Sequence, residues 1–96
     1  MQIHVHLFSI LRDCLPADAK ARGTSGGQAI VTLPAGATLS DLVTHLGIDE
    51  HLGYGAAELT SRANWQVMVS DQFELDMERR LRHGDEVRIF PPVSGG

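Results

Sequence analysis

One stretch carries the best helix signal in the chain, and it constrains everything around it. In "AGATLSDLVTHLG", Thr38 stands at the N-cap with Asp41 three residues on, an Asp variant of the capping box. Leu39, Leu42, Val43 and Leu46 recur at helical spacing and give a single apolar face, and Gly47 marks the stop. A helix with one apolar stripe must lay that stripe on a partner, and the flanking sequence offers strands. "QIHVHLF" alternates, with Ile3, Val5 and Leu7 on one side and His4, His6 and Phe8 on the other. "AIVTLP" reads as a second strand closed by Pro34, "WQVMVS" as a third with Val67 and Val69 inward, and "QFELD" as a short fourth strand or extended arm. "EVRIF" is the last, with Val87 and Ile89 opposed to Arg88 and Phe90. A turn at Gly84-Asp85, anchored by Leu81, precedes it.

The remaining segments are less patterned. Ile10, Leu11 and Cys14 suit a short helical turn before Pro16. Ala17 to Gln28 is small and polar and reads as a mobile loop. Asp49 to Asn64 has no clear period, with a short helix possible in "AAELTSR". The order is β-β-α-β-β-β, an α+β layering with the helix across one face of a mixed sheet. The first two strands should pair antiparallel, and the first and last in parallel at the sheet centre.

A chain of 96 residues makes one domain, and 43% hydrophobic residues suffice for one modest core. The net charge of −4 argues against nucleic acid, whose affinity rests on basic residues. The single cysteine, Cys14, permits no intrachain disulfide and anchors no zinc set, which suits a reducing compartment. No basic leader and no apolar run near the ~20 residues of a membrane span is visible, so a soluble cytoplasmic protein, away from membranes, is the expectation.

Catalytic constellations are absent from the pattern. Ser9, Ser40 and Ser94 lack triad context, and "GTSGG" lacks the Lys and helix start of a phosphate loop. His4 and His6 share a strand face and could chelate a metal, but no third ligand is apparent, so a solvent-facing pair is expected and no metal site is assigned.

The chain ends in "RIFPPVSGG". Pro91-Pro92 can neither extend a ladder nor start a helix, so residues 91–96 should leave the 1–90 domain as an extended arm. Such an arm reaches up to roughly 20 Å. Gly95 and Gly96 carry no Cβ, so the end could thread a narrow channel. Its one reactive group is the Gly96 carboxylate, which can attack the α-phosphate of ATP to give an acyl adenylate. Beside it, Phe8 and Phe90 should meet on the open side of the sheet, with Arg88 on the same face and Phe73 able to join them, as a docking surface.

"GDEVRIFPPVSGG" (Gly84 to Gly96) and, less specifically, "VTLPAGATLSDLVTHL" (Val31 to Leu46) make the chain resemble the ubiquitin-like β-grasp sulfur carriers. The likeness is greatest to the small sulfur-carrier subunit of molybdopterin synthase, a relative of the thiamine-biosynthesis carriers. The resemblance implies a carrier that is not catalytic alone and binds no cofactor itself. A ubiquitin-activating-type adenylyltransferase would use ATP and a sulfur donor to make a thiocarboxylate at Gly96. The large synthase subunit would then receive the tail, lined by Gly95, Ser94, Val93, Pro92 and Pro91, against Phe8, Phe73, Phe90 and Arg88. The alternatives are service to thiamine, cysteine or tRNA thiolation pathways, or conjugation to proteins through Gly96. The 17–28 loop is long for the small synthase subunit, and "VSDQFELD" lacks the Asn-Gly hairpin of many relatives.

Overall fold

The computed structural model describes residues 1–8, 11, 14, 15, 27–61 and 64–91. The expectations for Ser9, Ile10, Pro16, residues 17–26, Pro92, Val93, Ser94, Gly95 and Gly96 lie outside the described residues. Strand β1 (Gln2–Leu7) and β2 (Gly27–Thr32) are followed by helix α1 (Leu39–Leu46), a short helix α2 (Ile48–Leu52) and a 3₁₀ turn (Ala56–Glu58). Strands β3 (Gln66–Val69), β4 (Gln72–Phe73) and β5 (Glu86–Phe90) complete the chain. They form one five-stranded sheet in the order β2-β1-β5-β3-β4. β1 pairs with β2 antiparallel and with β5 in parallel, and β3 runs antiparallel to both β4 and β5.

Strand alternation sorts the side chains into two layers. Ile3, Val5, Leu7, Val31, Val67, Val69, Val87 and Ile89 are buried on one face, where they meet Leu39, Leu42 and Val43 of α1. Met77 and Leu81 from the connection before β5 close the same core, as do Leu59 and Trp65. Burying a large aliphatic side chain contributes about 1.5–3 kcal/mol, so this layer supplies most of the driving force.

The α1 N-terminus is doubly secured. Thr38 Oγ1 accepts from the Asp41 N–H at 3.2 Å, and Asp41 Oδ2 accepts from the Thr38 N–H at 2.9 Å. The connecting strap before β5 takes up the next donors. The Leu39 N–H donates to the Arg79 carbonyl at 3.0 Å and the Ser40 N–H to that of Met77 at 2.8 Å. The strap is itself pinned where Arg79 Nη1 meets Glu74 Oε1 at 3.0 Å. The helix therefore arrives on the sheet with its first-turn amides used, and offers no anion site there.

Three sequence expectations change. β2 begins at Gly27, not after Gln28, because Leu7 and His6 extend their pairing to Gly27 and Gln28. α2 occupies Ile48–Leu52 between two left-handed glycines, Gly47 and Gly53, with Ile48 as its buried residue, and the short helix expected in "AAELTSR" is one 3₁₀ turn. The β3–β4 hairpin dispenses with Asn-Gly by placing Ser70 (φ 47°) and Asp71 (φ 72°) in the left-handed region.

Candidate functional site: the open face of the sheet

The face opposite α1 has no helix laid on it among the described elements, and strand register writes its pattern. His6 lies opposite Gln28 on β2 and Arg88 on β5. Arg88 lies opposite Met68 on β3, and Met68 opposite Phe73 on β4. Gln28, His6, Arg88, Met68 and Phe73 thus form one row from edge to edge of the sheet.

The neighbouring row holds the aromatic pair. Phe8 follows β1 directly and Phe90 ends β5, and their rings stack with centroids 4.6 Å apart and planes 15° apart. His6 extends the stack beneath Phe8, at 4.2 Å and 27°. Because β1 and β5 run in parallel, both strands deliver these rings at the same end of the sheet, where Pro91 takes the chain out of it. Phe8, Phe90 and Pro91 are half-buried.

Arg88 is held in the middle of the face by carboxylates. Its guanidinium pairs with Glu86 on its own strand and, at 3.6 Å, with Asp71 from the β3–β4 turn. Both partners are partly or largely solvated, so these contacts orient the cation more than they stabilise the fold. His6 faces the same guanidinium. Burial and then the Arg88 charge hold its pKa below the ordinary histidine value, with Glu86 opposing. Its Nε2 is buried and has no hydrogen-bond partner among the described residues. Neutral imidazole in the aromatic stack is the consequence.

The sequence therefore placed Phe8, Phe90 and Arg88 on one face, and the structure brings them together. Phe73 shares that face but lies beyond β3, with Met68 between it and Arg88, and it is 65% exposed instead of joining the stack. The expected solvent-facing pair of histidines splits: His4 is exposed, whereas His6 is half-buried against Phe8. Met68 was missed. Its signal lay in "QVMV", where it falls out of phase with the inward valines. Among the described residues no group of three or more His, Cys, Asp or Glu side chains is placed to hold a metal ion. No helix among them is long and apolar enough to cross a membrane.

The fold has solved counterparts. SAMP1 from Haloferax volcanii aligns over 100% of both chains with 24% identity and a TM-score of 0.57. A chain assigned as molybdopterin converting factor subunit 1 of Pyrococcus furiosus aligns over 97% of this chain and 99% of its own, with 19% identity and a TM-score of 0.62. The complex of subunits 1 and 2 of the Helicobacter pylori 26695 molybdopterin-converting factor includes a chain that aligns over 100% of both lengths, with 18% identity and a TM-score of 0.56. At these identities the likeness establishes the β-grasp fold. No curated protein matches the sequence significantly. The sequence profile of the ThiS family, however, matches residues 5–96. With a β-grasp sheet, its open aromatic face and a family match that runs through the final glycine, the chain belongs to the ThiS family of ubiquitin-like β-grasp sulfur carriers.

Proposed function

We propose that this chain carries sulfur as a thiocarboxylate on Gly96 for molybdopterin synthesis. The observation that carries the reading is that the family match includes the Gly-Gly end, and that β5 leads into that end beside the Phe8–Phe90 stack. A carboxylate is a poor acyl donor. Attack of its oxygen on the α-phosphorus of ATP expels pyrophosphate and leaves an acyl adenylate, from which a sulfur donor displaces AMP. None of these steps asks for a base or a cofactor on this chain. They ask for a narrow arm, the form expected from the sequence of Pro91, Pro92, Val93, Ser94, Gly95 and Gly96, and for a surface on which two successive partners can seat it.

That surface is the open face. In this reading an adenylyltransferase of the ubiquitin-activating type and then the large synthase subunit cover Phe8 and Phe90. Arg88 sets the register, and Phe73 forms an outlying apolar contact. Support comes from the fold likeness to two converting-factor small subunits, one of them solved with its subunit 2. The "PPVSGG" ending points the same way.

A second reading is favoured by a specific observation. Two of the matching structures are a small archaeal modifier protein. A modifier uses the same adenylated glycine but passes it to a lysine amine, releasing AMP and forming an isopeptide bond. Mass spectrometry of the protein recovered from its host separates the two. Sulfur in place of one terminal oxygen supports the carrier reading. Gly-Gly remnants on target lysines, with no sulfur on the free protein, would replace it with the modifier.

A further inference from the structure

We propose that the outer edge of β2 pairs with the same edge of a second copy, joining two sheets into one. Hydrogen-bond parity fixes which groups of β2 face outward. Met1 and Leu33 exchange both of their main-chain bonds, at 2.8 and 2.9 Å. In an antiparallel ladder such pairs alternate. Ile3–Val31, Val5–Ala29 and Leu7–Gly27 are therefore the bonded pairs of the register, and Gln28, Ile30 and Thr32 turn their N–H and C=O groups away from β1. Among the described residues no other strand or loop backbone pairs with that side.

Exposed edges are ordinarily blunted by charge, proline, bulges or brevity. β4, at the opposite edge, is two residues long and runs into Glu74 and Asp76. β2 has none of these devices. It is six residues long, pairs with β1 without a bulge, and "GQAIVT" contains no charge and no proline. Ile30, at its middle, is 56% exposed. A groove alongside the strand, lined in part by Leu15, Ile30, Val31, Thr32, His45 and Leu46, leaves room for an approaching chain.

The strand is also complementary to itself. An antiparallel pair of β2 strands with its two-fold at Ile30 sets Ile30 of one copy against Ile30 of the other. Gln28 of each copy then faces Thr32 of its mate. The outward residues meet outward residues, so about six main-chain hydrogen bonds close and each Ile30 covers the other. Although each copy carries a net charge of −4, the paired strands contribute none of it. One strand pair buries well under the ~1,200 Å² of a standard interface, so the dimer is weak and concentration-dependent. It also leaves Phe8 and Phe90 uncovered, two strands away from the seam at Phe90.

The test is sedimentation velocity from ~10 µM to ~1 mM, with amide spectra of the wild-type chain over the same range. The weight-average mass should rise above the 10.4 kDa monomer towards twice that value. The amides of Gln28, Ile30 and Thr32 should shift while those of Phe73 and Leu75 stay still. Ile30→Lys, which sets two ammonium groups face to face at an exposed position, should weaken association at least ~10-fold. A monomer throughout the range would overturn the proposal. So would equal self-association of a folded Ile30→Lys, or shifts centred on Phe8, Phe90 or β4. If Ile30→Lys does not fold, the wild-type amide shifts decide.

Discussion

Phe8 and Phe90 stack at 4.6 Å across two strands that run in parallel, although 82 positions separate them in sequence (90 − 8). The contact ties the end of β1 to the end of β5, so damage to either ring should be felt at both strands. Truncating each to alanine, singly and together, should reveal a coupling of ~0.5–1.5 kcal/mol in urea unfolding. Strict additivity would mean that the rings are neighbours without interaction.

Phe90→Asp probes docking instead of folding. The ring is half-buried on a face with no helix over it among the described elements, so an aspartate there can reach water. Binding to the large synthase subunit of the same host should weaken at least ~10-fold, because a charge would enter the desolvated centre of the contact. The melting temperature should fall by only a few degrees. Collapse of the fold with no selective effect on binding would place Phe90 in the core.

The Ser70–Asp71 turn is strained at two non-glycine residues. Replacing the pair with Asn-Gly should stabilise the protein by ~1 kcal/mol, since those residues adopt the required angles readily. The change also removes the Asp71–Arg88 contact, but Asp71 is 86% exposed and that pair contributes little. A loss of stability in chemical denaturation would show that the contacts removed, Asp71 to Arg88 and the Ser70 hydroxyl to Asp85 at 3.3 Å, outweigh the strain.

His6 makes stability depend on pH in a defined direction. Its folded-state pKa is lowered by burial and by Arg88, so the unfolded chain binds the proton first as pH falls. The contribution is complete above about pH 6.5 and is lost as pH falls from there through the folded value. His6→Gln should therefore flatten the fall in stability between about pH 7.5 and 5 relative to wild type. Identical slopes would mean that His6 titrates as it does in the unfolded chain.

Thr38→Ala should cost ~1 kcal/mol by opening the capping box at α1. Urea midpoints read this directly, and an unchanged midpoint would show that the strap carbonyls of Met77 and Arg79 suffice.

Local signals were the legible ones. The cap at Thr38, the apolar face of α1 and the stop at Gly47 are written within a single stretch of chain, as are the alternations of β1 and β5. β2 began two residues early because Gly27 and Gln28 take their strand character from Leu7 and His6, which no local pattern records. α2 was missed because five residues with one buried side chain show no period. At the site, the Phe8–Phe90 pairing followed from strand phase combined with the expected parallel pairing of the first and last strands. The isolation of Phe73 depended on sheet order, which put β3 between it and β5. His6 depended on the ring above it, and only the folded sheet supplies that.

The proposed chemistry converges on the carboxyl group of Gly96. The full chain and a Gly96-deleted chain should each be incubated with ATP, the host's adenylyltransferase and a sulfur donor, and then weighed intact. If Gly96 carries the sulfur, the full chain exchanges one oxygen for sulfur while the deleted chain, equally stable, stays unchanged. A full chain that gains no sulfur, or a deleted chain that gains it, would contradict it.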